Sequence, residues 1–396
     1  MAVAHSTPPF ISLYDTLDWQ KYPNPTGLPT GNGYGVAISQ KAMLIAVAHA
    51  ESPYVTIYNA LTLEKLTGPG TLPTGTGWGV AFNPAGTILV VTHSNSPFIT
   101  LYDTATWTKL TGPADLPPGI GYGASFSPDG TLMAIAHSVS PFVTVYNTAD
   151  WSKVASPADL PSNLAYNARF SPDGSLLAVS HAVSPYITIY NTSDWTKVSD
   201  PADLPPGTGR DVIFSHDGAL LAVAHSSSPY VTRYNTATWA KLAAPASLPA
   251  STAYGVAFSH DDELMAVAHA DSPYVTIYET DTWAKVDNPA QLPAGIGRAV
   301  AFNDLFIGSP SGSPSTSVSG SPSASASGSP SASPSPSTSL SGSPSASASE
   351  GTPDFYVMLI GFTAALPQAI FTAGLPQATF TAKSPTITFT TGGPYE

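Results

Sequence analysis

Histidine is the residue whose type and spacing first suggest chemistry in this sequence. It ends an apolar run and is followed in nearly every copy by x-x-Ser-Pro, so a metal site or a histidine-activated serine has to be considered. Successive copies are 44 residues apart, at His5, His49, His93, His137, His181, His225 and His269. A residue that recurs in register usually serves the architecture, and the repetition argues against a single active site. We therefore predict that each histidine forms a hydrogen bond within its own Ser-Pro turn.

A glycine-rich segment is a second candidate for chemistry, because it looks like a phosphate-binding loop. Its copies include GTGWG and GIGYG, but each leads into an apolar run that is too short for a helix, and each recurs in register. A nucleotide-binding loop instead opens a helix. We predict that these glycines allow tight turns and a close approach of the backbone.

The elements that must position these residues are short strands. In LAVSHAVSPYITIYNTSDW the run that ends in His181 is typical of one strand and YITIY of the next, while SPDG at 127–130 has the composition of a turn. The runs are too short and too rich in Val, Ile and Tyr for helices, and they show no sustained period of about 3.6 residues. We expect a weak fourth strand around the Lys-Leu or Lys-Val pair of each unit.

Four antiparallel strands, repeated seven times at a 44-residue interval, predict an all-β fold, a seven-bladed β-propeller. Blades stack face to face, so we expect Ile187 and Ile189 to face one neighbouring blade and Tyr190 the other. The chain starts inside a unit, and the seventh unit stops after its first strand. The last blade should therefore combine a strand near 298–302 with strands within 1–22, which removes the open sheet edges.

The propeller geometry also bears on metal binding. Strands about 4.8 Å apart place the histidines of neighbouring blades on the order of 10 Å from each other. A zinc ion needs nitrogen ligands at about 2.1 Å, so adjacent blades cannot share one through these residues. The sequence contains no cysteine. We expect neither a metal nor another cofactor.

The repeats also carry a family resemblance. FSPDGSLLAVSH and YITIYNTSDW resemble WD-repeat and WD-like propellers, and SPYVTIYN together with LPTGTGWGVAFNP resembles propeller proteins of tailed bacteriophages and prophages. The resemblance covers residues 1 to about 306 and implies a virion component whose propeller faces a host surface. The units lack the Gly-His pair and have Tyr-Asn or Tyr-Asp where Trp-Asp is usual, so the family's structural tetrad is not transferred.

The most informative positions are those at which the repeats differ. At the start of the innermost strand an aromatic series is interrupted by two arginines, at Tyr34, Trp78, Tyr122, Tyr166, Arg210, Tyr254 and Arg298. Around the mouth of a central channel such a ring suits sugars or the anchor side chain of a protein partner. The alternative is that these side chains plug the channel and pack between blades. Arg169, Asp211 and Arg233 also depart from the repeat, either as an ion-pair cluster with Arg210 or through sequence drift.

The composition narrows the function further. Of 396 residues, 13 are basic and 26 acidic, which gives a formal net charge of −13 and argues against nucleic-acid binding. The N-terminal residues do not have the pattern of a signal peptide, and no apolar run is long enough to span a bilayer. We therefore expect no membrane span and a location in a virion or outside the cell.

Three regions follow from the composition along the chain. We assign residues 1–306 to the propeller, 307–352 to an extended linker rich in Ser, Pro, Gly and Ala, and 353–396 to a β-rich anchor or oligomerisation segment. The last segment has phenylalanines nine residues apart, at Phe362, Phe371, Phe380 and Phe389. About forty residues cannot close a core unaided, so copies of the same tail or a larger scaffold should cover them. We expect homo-oligomers within an assembly, with other virion or fibre subunits as partners.

These observations predict a non-enzymatic structural or adhesive protein. The most specific form of the prediction is a phage tail, fibre or decoration protein, anchored by residues 353–396 and displaying its propeller to a host-surface glycan or protein. One alternative is a self-assembling extracellular fibre subunit whose tail completes a sheet in the next copy. The other is a propeller enzyme, lactonase-like or glycan-active, which two unique acidic residues lining the channel near a bound ion would support.

Overall fold

The computed structural model describes residues 1–302 and, beyond them, only the strand backbone at 369–370, 381–383 and 386–388. The chain divides into two compact units, Met1–Ser315 and Thr316–Glu396.

The first unit consists of seven antiparallel sheets of three strands each. In chain order the strands are β1 (Ala2–His5), β2 (Ile11–Leu13), β3 (Gly33–Ser39), β4 (Leu44–His49), β5 (Val55–Asn59), β6 (Gly77–Phe82), β7 (Ile88–His93), β8 (Ile99–Asp103), β9 (Gly121–Phe126), β10 (Leu132–His137), β11 (Val143–Asn147), β12 (Ala165–Phe170), β13 (Leu176–His181), β14 (Ile187–Asn191), β15 (Gly209–Phe214), β16 (Leu220–His225), β17 (Val231–Asn235), β18 (Ala253–Phe258), β19 (Leu264–His269), β20 (Val275–Glu279) and β21 (Gly297–Ala301).

Each sheet has an inner, a middle and an outer strand, and the sheets are the blades of one ring. Blade 1 consists of β3 to β5, and each following trio of strands makes the next blade, up to blade 6 with β18 to β20. Blade 7 combines β21 with β1 and β2. Each inner strand contacts the inner strands of both neighbouring blades, including β21 with β3. The predicted seven-bladed β-propeller is confirmed, and the described residues contain no helix.

Blade 7 closes the ring by joining the two ends of the propeller sequence. β1 pairs antiparallel with β21 on one side, where Val3 lies opposite Val300. On the other side β1 pairs with β2, where Val3 lies opposite Ser12. Val3 is fully buried at this seam. The closure that the incomplete repeats predict is therefore confirmed.

Both faces of each blade are buried, as the alternation of apolar residues predicts. Ile187 and Ile189 of β14 pack against Val212 of blade 5, whereas Tyr190 of the same strand packs against residues of blade 3. Tyr234 of blade 5 completes the cluster around the two isoleucines. Each interface between blades is thus filled by aliphatic side chains of one blade and the outer-strand tyrosine of the next.

The predicted fourth strand is wrong. In each blade it is reduced to an isolated antiparallel bridge between the outer-strand tyrosine and the periodic lysine, such as Tyr190 with Lys197. A backbone hydrogen bond of 2.9 Å or less flanks the bridge, as from the Val198 N–H to the Ile189 carbonyl at 2.8 Å. Pro201 then begins a Pro-rich connection, whose prolines have no N–H group to donate to a longer ladder.

The outer-strand tyrosines also fasten the connection that enters their blade. Six of their hydroxyl groups donate to a backbone carbonyl 31 residues earlier, as Tyr190 does to Asp159 at 2.7 Å. Tyr14 is the exception, because its buried hydroxyl makes no such bond to a backbone carbonyl of the described residues.

We expect Tyr190→Phe to lower the free energy of unfolding by about 1 kcal/mol, since it removes the donor of this hydrogen bond. Tyr14→Phe is the matched control and should have a smaller effect, because the Tyr14 hydroxyl makes no bond to the connection that enters the blade. Chemical denaturation of the two variants measures the difference. Equal losses at the two positions would contradict a stabilising role for the hydrogen bond.

The second unit is described by three short strands. They are β22 (Ala369–Ile370), β23 (Thr381–Lys383) and β24 (Thr386–Thr388). β24 lies in the middle of the sheet, parallel to β22 and antiparallel to β23. The predicted linker at 307–352 and the predicted anchor phenylalanines lie outside the described residues.

Candidate functional site

A β-bulge at the start of every inner strand aims one side chain at the axis of the propeller. In blade 1 Gly33 pairs with His49 and Gly35 with Ala48, so Tyr34 between them has no partner in the ladder. The same shift occurs in all seven blades. A bulge re-aims the residue that it inserts. The bulged residues converge on the central channel and form what we call the channel ring, Tyr34, Trp78, Tyr122, Tyr166, Arg210, Tyr254 and Arg298.

Four consecutive members of the channel ring form an aromatic arc. The ring centroids of Tyr34 and Trp78 lie 4.4 Å apart. Those of Trp78 and Tyr122 lie 5.6 Å apart, as do those of Tyr122 and Tyr166. The planes are tilted or edge-on, with interplanar angles of 36° to 64°. Aromatic side chains prefer such offset and edge-to-face contacts, so the arc is a preorganised surface.

The two arginines complete the circle. Arg210 lies between two tyrosines, with its Cζ 4.5 Å from the ring centroid of Tyr166 and 5.7 Å from that of Tyr254. Arg298 lies on the other side of Tyr254, at 4.4 Å, and reaches the ring of Tyr34 at 5.9 Å. The seven side chains that the sequence singles out are therefore brought together, each in contact with the next.

The channel ring surrounds a cavity of about 330 Å³ and does not fill it. Asn167, Arg169 and Asp211 line the same cavity. In most other blades glycine stands at the position that follows the ring residue, and a Cβ on Gly79 would lie 2.6 Å from the carbonyl oxygen of Tyr122. These glycines thus allow the close approach of neighbouring inner strands that the sequence predicts.

In blades 4 and 5 the glycine position is occupied by Asn167 and Asp211, whose side chains are hydrogen-bonded to each other. Asn167 Nδ2 donates to Asp211 Oδ1 at 2.6 Å, and the backbone N–H groups of Val212 and Val256 donate to the same carboxyl group at 2.9 and 3.0 Å. Burial raises the pKa of Asp211, while the guanidinium of Arg169 and these hydrogen bonds oppose the shift. The carboxyl group is therefore held by groups from blades 4, 5 and 6.

Sequence reasoning missed Asn167. It stands where the preceding blades have Gly35, Gly79 and Gly123, so the break in the Gly-x-Gly register was the available signal. Its neighbour in the next blade, Asp211, breaks the same register.

Of the two interpretations of the remaining arginines, the ion-pair cluster around Arg210 is wrong. Among the described residues no arginine lies within ion-pair distance of a carboxylate. Arg169 Nη1 donates to the Ala124 carbonyl at 2.9 Å. Arg233 belongs to the outer strand β17, two strands from the axis, and stacks over the indole of Trp283. Arg233 is therefore too far from the axis to join Arg210 in a cluster, since Arg210 lies on the inner strand of the same blade.

The seven periodic histidines end the middle strands and are fully buried. His181 Nε2 lies 3.0 Å from the Thr188 hydroxyl, and every other copy has the equivalent partner seven residues on, which is Ser12 in blade 7. Since Val179 pairs with Thr188, His181 is the diagonal neighbour of this threonine on the same face. The side-chain partner of His181 thus lies on the strand that follows the Ser-Pro turn. Within the turn itself, the group near the imidazole is the backbone of Val183.

A second cavity, of about 340 Å³, lies at the opposite ends of the inner strands. His216, His260 and Lys41 are among the residues that line it, and no arginine does. His216 Nδ1 lies 3.0 Å from Asp262 Oδ1. Among the described residues no group of three or more His, Cys, Asp or Glu side chains is placed to hold a metal ion. The described part of the chain also has no helix that could cross a membrane.

The fold and the channel ring together define a seven-bladed β-propeller with a ring-lined axial cavity. No family model and no curated protein matches the sequence. Among solved structures the chain is similar to the hydrazine synthase of Kuenenia stuttgartiensis, with a TM-score of 0.54 and 19% identity, covering 65% of this chain and 78% of that chain. A likeness at this identity shows the fold alone. The resemblance of the repeats to WD-repeat and phage propellers stays a prediction.

Proposed function

We propose that this protein is a non-enzymatic binding protein that takes its ligand in the cavity of the channel ring. The observation that carries the proposal is the ring itself, whose side chains contact one another around the channel and leave about 330 Å³ open. The alternative interpretation is that these side chains plug the channel, and the open volume favours binding over it. Ligand pockets of about 300–1,000 Å³ combine apolar and aromatic walls with a few placed polar groups, which is the composition found here.

The chemistry of the channel ring suits a saccharide. Tyr, Trp and Arg dominate recognition sites because they offer large contact areas and polar groups on the same side chain. The aromatic arc presents flat apolar surface, and its tyrosines add hydroxyl groups that can donate and accept. A sugar needs both, since it has an apolar ring face and hydroxyl groups at its edge. Guanidinium groups supply further donors to those hydroxyls.

The single carboxyl group at the cavity favours binding over catalysis. Glycoside hydrolysis in most enzyme families uses two carboxyl groups in opposed environments. Among the residues that line the cavity, Asp211 is the one acidic side chain. Its oxygens accept hydrogen bonds from Asn167 and from backbone N–H groups of the wall. The cavity thus lacks the second carboxyl group that a glycan-hydrolysing enzyme of the usual kind would need.

The setting of this binding is proposed from the resemblance of the repeats. The resemblance favours a phage tail, fibre or decoration protein whose propeller faces a host surface, with residues 353–396 as its anchor. A self-assembling extracellular fibre is the alternative. The predicted linker and the anchor phenylalanines lie outside the described residues, so both settings stay predictions.

The double variant Trp78→Ala with Arg210→Ala tests the proposal. Binding of the purified protein to an array of bacterial surface saccharides and to intact bacterial cells should fall roughly 30-fold or more, because truncating central residues of this kind typically costs about 2 kcal/mol or more. Lys41→Ala, at the opposite end of the propeller, is the control and should bind like the unchanged protein. Undiminished binding by the double variant, or no binding of the unchanged protein to any of these surfaces, contradicts the proposal.

A further inference from the structure

The cavity of the channel ring collects the arginines of an acidic protein. The chain has 13 basic and 26 acidic residues, and its four arginines are Arg169, Arg210, Arg233 and Arg298. All of them except Arg233 line the cavity. Seven of the lysines lie instead at the outer bridges of the blades. Three positive charges therefore lie at the axis of a protein whose net charge is negative.

Two of these arginines have no anionic partner. Among the described residues no carboxylate lies within ion-pair distance of Arg210 or Arg298. Both flank Tyr254, with their Cζ atoms 5.7 and 4.4 Å from its ring centroid. The Nε atom of each is buried and has no hydrogen-bond partner among the described residues. Both arginines are only half-buried as whole residues, so their charge is open to an anion that enters the cavity.

The acidic side chain at the cavity does not neutralise this pair. The oxygens of Asp211 accept hydrogen bonds from Asn167 and from the backbone of blades 5 and 6. The guanidinium that acts on this carboxyl group is that of Arg169. Arg210 and Arg298 thus stay available to an anion that enters the cavity.

We propose that the cavity binds the carboxylate of an acidic monosaccharide residue, such as a hexuronic acid, at the end of a glycan; this inference rests on the proposed binding function. Arg210 and Arg298 take the carboxylate, because guanidinium groups match its geometry. The sugar ring stacks on the aromatic arc. A peptide carboxylate would use the same arginines but would leave the arc without a partner.

The size of the cavity sets the length of the ligand. At about 330 Å³ it lies at the lower end of the range for ligand pockets, which suits one sugar ring and not a chain of several. The site would therefore recognise a terminal residue. Glycans that carry the same acidic sugar only at internal positions should bind poorly.

Calorimetric titration of the full chain with glucuronic acid, its methyl ester and glucose tests the inference. The acid should bind at least about tenfold more tightly than the two neutral compounds, because the charge-assisted hydrogen bonds are lost with the charge. Arg210→Gln and Arg298→Gln should each weaken binding of the acid about 10- to 100-fold and weaken binding of the neutral sugars by a clearly smaller factor, since these lose only a neutral hydrogen bond. Lys109→Gln removes the same charge at an outer bridge and should change nothing.

Each other outcome has a distinct meaning. Equal affinity for acid and neutral sugars overturns the acidic-sugar inference, and the binding function stands if Trp78→Ala still weakens binding. Inorganic phosphate that competes as well as the acid overturns it in favour of a general anion site. An acetylated dipeptide that binds more tightly through its C-terminal carboxylate overturns it in favour of a protein ligand. If no probe binds, the acidic-sugar inference is also overturned. The binding function falls with it only if Trp78→Ala binds cells as well as the unchanged protein does.

Discussion

Lowering the pH from 7 to about 4.5 should unfold the propeller, because its seven buried histidines take up protons only when the chain unfolds. Burial lowers the pKa of each from 6.5 to about 4, and the backbone of the adjoining turn opposes the shift only in part. Between these two values each histidine is protonated in the unfolded chain and neutral in the folded one. The free energy of unfolding therefore falls as the pH falls through this window, and it is fully restored above it.

The expected effect is large enough to exceed the stability of the fold. A pKa lowered from 6.5 to about 4 corresponds to about 3 kcal/mol for each histidine. Seven such groups together exceed the roughly 5–15 kcal/mol by which native domains are stable. Near His181 the charges of Asp200 and Lys197 act in opposite directions and leave burial dominant. The raised pKa of Asp211 works against the effect, but at a single group.

Denaturant unfolding followed by circular dichroism at a series of pH values measures the slope. Dilute protein is needed because the isoelectric point of about 4.9 lies in the same window. The double variant His181→Leu with Thr188→Val removes one histidine together with its partner, and should reduce the slope by about 1.4 kcal/mol per pH unit. Stability that stays constant between pH 7 and 5 would show that the histidines titrate normally in the folded protein.

Removing residues 1–14 should abolish folding of the propeller. These residues supply two of the three strands of blade 7 and bury Val3, Ile11, Leu13 and Tyr14. At about 1.5–3 kcal/mol for each large apolar side chain, the loss is on the order of 10 kcal/mol, which is comparable to the whole stability of a domain. The deletion also uncovers the edge of β21, which invites aggregation.

Size-exclusion chromatography and thermal unfolding of the shortened protein measure this effect. A chain that ends at Ser315, the boundary of the first unit, is the control and should melt at the temperature of the full chain. If the protein without residues 1–14 stays monomeric and melts cooperatively within a few degrees of the full chain, the ring does not depend on its closure.

The propeller and its closure could be predicted because both depend on the register of a repeat. The histidines at 44-residue intervals identify the same strand in every unit, and the incomplete units at the two ends of the repeats are complementary. The channel ring could be predicted for a related reason. Arg210 and Arg298 interrupt a series that is otherwise aromatic. A position at which the repeats differ is not fixed by the fold, so its residue type can serve ligand binding.

Other features depend on distances between strands, which a repeat does not encode. Asn167 and Asp211 are 44 residues apart in the chain, and their hydrogen bond exists only because two inner strands lie side by side. The pairing of His181 with Thr188 needs the diagonal register of the middle and outer strands. The missing fourth strand has a different cause. The residues around Lys197 have β-propensity, but the prolines that follow cannot donate to a ladder, so the pairing stops after a single bridge.

The seam of blade 7 bears on the order in which the protein can be made. Val3 pairs with Val300, about 300 residues later, whereas the ladders of blades 1 to 6 join strands that are consecutive in the chain. Contacts at such sequence separation form slowly, because the entropy of a long loop must be lost first. On the ribosome six blades can assemble one after another as they emerge. The first strand of the propeller to be translated is then among the last to complete its pairing.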